Sequence, residues 1–93
     1  SYIIFYLSLT FGGAILFEND LKQFGTEIKT VRKSKKITQL QLASLCDIDI
    51  RTIQRIEKGE FNPSLRVLIR IANAFEMSLS NLIKQVEEAG NLN

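Results

Sequence analysis

Two helix-start signals eleven residues apart constrain the fold of this chain most strongly. Thr38 is followed three positions later by Gln41, the pattern of a capping box in which each side chain bonds the other residue's backbone N–H. Asp49 is a second N-cap candidate, and we expect the helix before it to end near Leu45. The connection between the two helices then holds only Cys46, Asp47 and Ile48. Because this connection is so short, the later helix must turn sharply across the earlier one.

Hydrophobic spacing predicts what these two helices bury. The earlier helix is expected to bury Leu42, Ala43 and Leu45, and Ile37 is expected to pack on Leu42 as a hydrophobic staple. The later one, at residues 49–58, directs Ile53 and Ile56 inward.

A further helix is predicted before this pair and two after it. The first spans residues 21–33, with Asp20 as its N-cap candidate and an apolar stripe at Phe24, Ile28 and Val31. The fourth is capped by Ser64 after Asn62-Pro63 and turns inward Leu65, Leu68, Ile69 and Ala72. The fifth starts at Ser78 and buries Leu79, Leu82, Ile83 and Val86. The pattern predicts an all-α, compact five-helix domain.

The composition excludes several kinds of site. The chain has 93 residues, one Cys and no His. An internal disulfide is therefore impossible, a Cys/His zinc site lacks ligands, and the commonest general base is missing. No phosphate-binding glycine loop and no nucleophile–base pair is visible. We predict a protein that is not an enzyme and has no metal site and no cofactor.

The first seventeen residues, SYIIFYLSLTFGGAILF, carry no charge and are interrupted by Gly12-Gly13. The run is shorter than the roughly 20 apolar residues of a membrane span, and no positive region precedes it as in a secretory signal. Three alternatives remain: a non-native extension, a strand or helix that completes a dimer, and a weak membrane anchor. We favour the dimer and a cytoplasmic protein without a membrane partner. The predicted organisation is an apolar extension at residues 1–19, the helical domain at 20–86, and a polar, fraying tail at 87–93.

Charge is distributed unevenly along the chain. Residues 21–60 hold nine Lys or Arg against five Asp or Glu, whereas the whole chain has a net charge of only +2. A positive field in the middle of the chain would attract an anionic partner.

Residues 25–83 hold an ordered set of short motifs. In order, these are Gly25-Thr26-Glu27-Ile28, Val31-Arg32, Thr38-Gln39, Leu42-Ala43, Ile53, Ile56-Glu57-Lys58-Gly59, Asn62-Pro63-Ser64, Leu68, Ile71-Ala72, Ser78-Leu79 and Leu82. This set resembles the Cro/lambda-repressor-like, or Xre-type, helix-turn-helix family. The resemblance implies a lambda-repressor-like DNA-binding fold and a sequence-specific transcriptional regulator, more often a repressor, that acts as a homodimer on double-stranded DNA.

Two structural roles follow from the resemblance. Arg32 and Glu57 match a pair that bridges the first helix to the end of the third. Asp47 stands where the family usually has Gly, and Asp tolerates the left-handed conformation that such a turn requires. Cys46 is expected to be a small buried hydrophobe rather than a reactive thiol.

The resemblance also assigns DNA contacts. A recognition helix presents its first turns to base edges, and here these positions hold Ile50, Arg51, Thr52, Gln54 and Arg55. Ile50 replaces a residue that is often polar in the family, and it offers only apolar contact to a thymine methyl. The predicted phosphate contacts are Gln39, Lys58, Gly59 and Asn62. The alternative function is an antitoxin that binds a protein toxin as well as its own operator.

Overall fold

The computed structural model describes the backbone of residues 14–91 and the side chains of residues 20–90. Within this part of the chain there are five α-helices: α1 Ala14–Ser34, α2 Gln39–Cys46, α3 Ile50–Glu57, α4 Leu65–Ala74 and α5 Leu79–Asn91. α1 packs against α3 and α5, α2 packs against α3 and α4, and α4 packs against α5. The predicted all-α architecture is confirmed for these residues, and α3 lies between α1 and α2.

Three helix starts are capped as the sequence predicts. The Thr38 hydroxyl accepts from the Gln41 N–H at 3.1 Å, and the Gln41 side-chain oxygen accepts from the Thr38 N–H at 2.8 Å. Asp49 accepts from the Arg51 N–H at 2.8 Å, and Ser64 accepts from the Val67 N–H at 3.3 Å. The side chains therefore bond N–H groups that a helix start leaves without intrahelical partners.

The first and last helices, α1 and α5, are both longer than predicted. Asp20 is not an N-cap, because it lies inside α1, which already begins at Ala14. No Pro or Gly stands between residues 14 and 20 to end a helix, and an Asp is tolerated in a helix interior at small cost. The last helix also runs past the predicted start of the polar tail at Glu87, because α5 continues to Asn91. α5 is held against α1 near this point, where the Gln23 side chain donates to the Val86 carbonyl at 2.6 Å. The first thirteen residues of the predicted apolar extension, including the Gly12-Gly13 interruption, lie outside the described residues.

The core draws on all five helices and includes most of the predicted positions. Its buried members are Phe24, Ile28, Val31, Leu42, Ala43, Cys46, Ile53, Ile56, Ile71, Ala72, Phe75 and Leu82. Leu79 and Ile83 are half-buried, and Leu68 and Val86 pack against the core from its margin.

Three predicted core residues are exposed. Leu45, Leu65 and Ile69 expose 62%, 63% and 42% of their surface. α4 carries apolar residues on more than one side, so its sequence alone does not decide which side faces the core. Packing against α2 and α5 buries the side that contains Ile71 and Ala72. On α2 the buried set is Leu42, Ala43 and Cys46, which leaves Leu45 on the outer side.

Two glycines permit close approach around α3. A Cβ on Gly25 of α1 would collide with the carbonyl oxygen of Ile56 near the end of α3. Gly59 has φ of +75°, and a Cβ there would lie 2.6 Å from the Cα of Lys22. A side chain at either position would push α1 away from the end of α3. No helix in the described part of the chain is long and apolar enough to span a membrane.

Candidate nucleic-acid interface

The turn between α2 and α3 depends on a left-handed residue. Asp47 has φ of 54° and ψ of 47°, as the sequence predicts. Its N–H donates to the Ser44 carbonyl at 3.2 Å, and the N–H of Ile48 donates to the Ala43 carbonyl at 3.0 Å. These bonds end α2 and direct the chain into α3 within three residues, so the two helices form the compact unit that the capping signals predict.

Cys46 is buried under this turn, which confirms its predicted place in the core. Burial raises the pKa of the Cys46 thiol, and the positive charge of Arg70 opposes only part of that rise. Arg70 also donates to the Cys46 carbonyl at 3.5 Å. A thiol with a raised pKa is a poor nucleophile, so the position acts as an apolar contact.

A buried ion pair joins α1 to the end of α3, which confirms the predicted pair. Arg32 Nε lies 2.6 Å from Glu57 Oε2, and the two side chains are only 9% and 3% exposed. Arg32 Nη2 donates to Glu57 Oε1 at 3.1 Å, and Arg32 Nη1 donates to the Ile37 carbonyl at 2.8 Å. This bidentate geometry fixes the position of α3 on α1.

Gln39 extends this network to the start of α2. Its Nε2 donates to Glu57 Oε1 at 3.0 Å, and its Oε1 accepts from Gln54 Nε2 at 3.5 Å. Because an ionised carboxylate only accepts, the amide nitrogen of Gln39 must face Glu57. One N–H of Gln39 then remains for another acceptor. We call Arg32, Glu57 and the half-buried Gln39 the polar network.

The predicted base-contacting residues divide into two groups. Arg51, Gln54 and Arg55 are exposed on the side of α3 opposite the buried Ile53 and Ile56. Among the described residues neither guanidinium has a hydrogen-bond or ion-pair partner. We call these three residues the outer face of α3.

The other two predicted residues are less accessible. Ile50 is half-buried and packs against the core, and Thr52 is half-buried as well. Because α3 is amphipathic, with one apolar and one polar side, these two residues lie at the boundary between the core and the outer face.

Phe61 is a residue of this region that sequence reasoning missed. It follows α3 in the loop before α4, and its ring centroid lies 5.3 Å from the guanidinium carbon of Arg55. The ring packs against the core. The only signal in the sequence is an aromatic residue six positions after an exposed Arg, which is too common a pattern to single out.

The predicted phosphate-contacting residues lie at both ends of the helix pair. Gln39 opens α2, whereas Lys58, Gly59 and Asn62 follow α3, and Lys58 and Asn62 are exposed. The Gly59 N–H already donates to the Ile56 carbonyl at 3.0 Å. An anion on this side would therefore rely on the Lys58 and Asn62 side chains. Within the described residues no group of three His, Cys, Asp or Glu side chains could hold a metal ion.

Comparison with known proteins places residues 28–82 in a family described as helix-turn-helix. The immunity repressor protein of Bacillus phage phi105 is 36% identical over 59 residues, which cover 63% of this chain and 41% of the repressor. The chain thus spans less than half the length of that relative. The control protein C.MunI of a Mycoplasma species is 35% identical over 72 residues, which cover 75% of this chain and 97% of that protein.

Solved structures agree with this placement. The restriction-modification controller protein C.AhdI from Aeromonas hydrophila superposes with a TM-score of 0.67 at 30% identity, over 69% of this chain and 97% of the controller protein. The clp gene regulator ClgR from Corynebacterium glutamicum has a TM-score of 0.74 at 18% identity, over 78% of each chain, and shares the fold.

Proposed function

The chain belongs to the Cro/C1-type helix-turn-helix family of DNA-binding transcriptional regulators, and from that premise we propose that it is a repressor whose α3 reads the major groove of double-stranded DNA. One observation carries the proposal. The outer face of α3 presents the guanidinium groups of Arg51 and Arg55, which have no hydrogen-bond or ion-pair partner among the described residues. By contrast, Glu57 faces inward from the same helix and is paired with Arg32.

The outer face has the chemistry of base recognition. A guanidinium bonds the O6 and N7 of guanine with two parallel hydrogen bonds, which suits Arg51 and Arg55. The Gln54 amide can accept from the N6 of adenine while it donates to N7. Ile50 and Thr52, at the boundary with the core, offer a methyl surface for thymine. Specificity in this proposal comes mainly from the three exposed residues.

The start of α2 and the loop after α3 suit phosphate groups. The first N–H groups of α2 have no intrahelical acceptors, and the helix dipole favours an anion there. Gln39 adds its remaining amide N–H, held in place by Glu57. Lys58 and Asn62 supply donors on the other side of α3. Such contacts position the protein on DNA and carry no sequence information.

We further propose that the protein acts as a homodimer. A single helix of this kind contacts too few base pairs to select one operator, whereas two copies related by a two-fold axis read half-sites about 34 Å apart. The sequence assigns dimerisation to residues 1–17, whose first thirteen residues lie outside the described part. The proposal that the protein represses transcription is supported by the phi105 relative, which is named an immunity repressor.

Duplex selection and a salt titration test the proposal together. Duplexes retained from a random pool should share a site with two-fold symmetry. If each subunit neutralises three or four phosphates, the dimer should then show a slope of roughly −5 to −7 when log affinity is plotted against log salt. A scrambled duplex of the same length is the control. Recovery of no shared sequence, or a slope near zero, would contradict the proposal.

A further inference from the structure

Arg51 and Arg55 share the outer face of α3 but have different surroundings. The Arg55 guanidinium carbon lies 5.3 Å from the centroid of the Phe61 ring, inside the roughly 6 Å range in which a cation and an aromatic face attract each other. No aromatic ring contacts Arg51 among the described residues. Both arginines are exposed, but only Arg55 has an aromatic contact among the described residues.

The Phe61 side chain is half-buried and packs against the core, which restricts the positions that its ring can take. A guanidinium that lies against a ring uses its flat face, and its N–H groups point outward from its edge. None of the side-chain N–H groups of Arg55 is bonded within the described residues. The contact thus restricts the long side chain without using the donors that a base would need.

We propose that Phe61 is a positioning residue that holds Arg55 in its base-reading orientation, so that Arg55 discriminates guanine more sharply than the unsupported Arg51. This inference rests on the proposed function, because it requires that Arg55 contact a base. Phe61 itself touches no base in the proposal. Phe61 restricts the Arg55 side chain before DNA binds. Arg55 therefore loses less conformational entropy on binding, because a preorganised side chain binds at a smaller entropic cost.

The test is a pair of double-mutant cycles on the selected operator, with F61L as the common change. Leucine keeps an apolar side chain against the core but offers no ring face. F61L should weaken operator binding by about two- to fivefold, which corresponds to an exposed cation–aromatic contact. It should have no such effect when Arg55 is already alanine and its full effect when Arg51 is alanine. F61Y, which keeps the ring, should bind like the parent protein.

Base discrimination separates positioning from folding. F61L should reduce the preference for guanine only at the operator position where R55A reduces it, and it should leave the position read by Arg51 unchanged. R55M gives a second cycle, in which an unbranched side chain of similar length stands at this exposed position but carries no charge. F61L should lose most of its effect in the R55M background, because the cation that the ring attracts is absent.

Two kinds of result would contradict the positioning role of Phe61, and they can be told apart. An equal effect of F61L with and without Arg55, or a uniform loss at all operator positions, would show that Phe61 only supports the fold. An R55A protein that binds operator and random DNA with unchanged preference would instead remove the base-reading role of Arg55, and the positioning role of Phe61 with it.

Discussion

The two sides of α3 use charge in opposite ways. On the inner side, Glu57 accepts from Arg32 twice and from Gln39 once, and its side chain is almost wholly buried. On the outer side, the guanidinium groups of Arg51 and Arg55 are exposed and have no hydrogen-bonded partner among the described residues. The paired charge fixes the helix in the fold, and the unpaired charges are left for a ligand.

This difference separates stability from recognition within eight residues. Removing one member of a buried pair leaves an uncompensated charge in the protein, whereas truncating an exposed arginine leaves the fold nearly unchanged. Changes on the inner side should therefore alter unfolding, and changes on the outer side should alter DNA binding.

The largest effect is expected from Glu57→Ala. The Arg32 guanidinium would then be buried without its carboxylate, and the free energy of unfolding should fall by about 3–5 kcal/mol. Urea denaturation measures this loss. Glu60→Ala, which removes an exposed carboxylate from the loop after α3, is the matched control and should change the free energy of unfolding by less than about 0.5 kcal/mol. Similar losses for the two variants would show that the network does not stabilise the fold.

A smaller change, an increase in the free energy of unfolding, is expected at the turn between α2 and α3. Asp47 adopts a left-handed conformation that costs a residue with a Cβ roughly 1 kcal/mol. Asp47→Gly should therefore raise the free energy of unfolding by up to about 1 kcal/mol and leave operator affinity unchanged.

The control introduces the same residue into a helix. Ser44→Gly, on the exposed side of α2, should lower the free energy of unfolding by roughly 0.5–1 kcal/mol, because Gly is unfavourable in a helix interior. A loss of stability in Asp47→Gly would mean that the aspartate side chain stabilises the turn by more than its backbone strain costs.

The smallest effect concerns pH and the Cys46 thiol. Since burial raises its pKa in the folded protein, the folded state holds the proton to higher pH than the unfolded state does. The contribution of the Cys46 thiol to the free energy of unfolding is therefore fully present below the unfolded thiol pKa of about 8.5, and it falls as pH rises above that value. Urea denaturation at a series of pH values should show this decline in the parent protein and a weaker one in Cys46→Ala. Parallel curves for the two proteins would contradict the assignment.

Signals within one short segment predicted the fold best. The Thr38–Gln41 box, the caps at Asp49 and Ser64, and the left-handed Asp47 each depend on a few adjacent residues, and all are present. Leu65 and Ile69 were placed wrongly because α4 has apolar residues on more than one side, and only its neighbouring helices decide which side is buried. The start of α1 was missed because an Asp that can cap a helix can also lie within one.

For the candidate site, sequence reasoning predicted one side-chain contact and missed two others. The resemblance supplied the Arg32–Glu57 pair and the outer face of α3. It did not indicate that Gln39 bonds Glu57, or that Arg55 lies against Phe61. Both contacts join residues from different elements, so no local pattern encodes them.

The division between the two sides of α3 is tested most directly by titrating Arg51→Ala and Arg55→Ala on the selected operator and on random DNA. Lys84→Ala is the charge-matched control, because Lys84 is exposed on α5, which packs against α1 and α4. Each arginine variant should lose about 1–3 kcal/mol of binding free energy on the operator and less on random DNA. The urea midpoint should be unchanged for Arg51→Ala, and Arg55→Ala should lose at most about 0.5–1 kcal/mol of stability, from its contact with Phe61. Lys84→Ala should show little change on either DNA. Equal losses on the two DNAs for the arginine variants, or a fall in their stability like that of Glu57→Ala, would contradict the account.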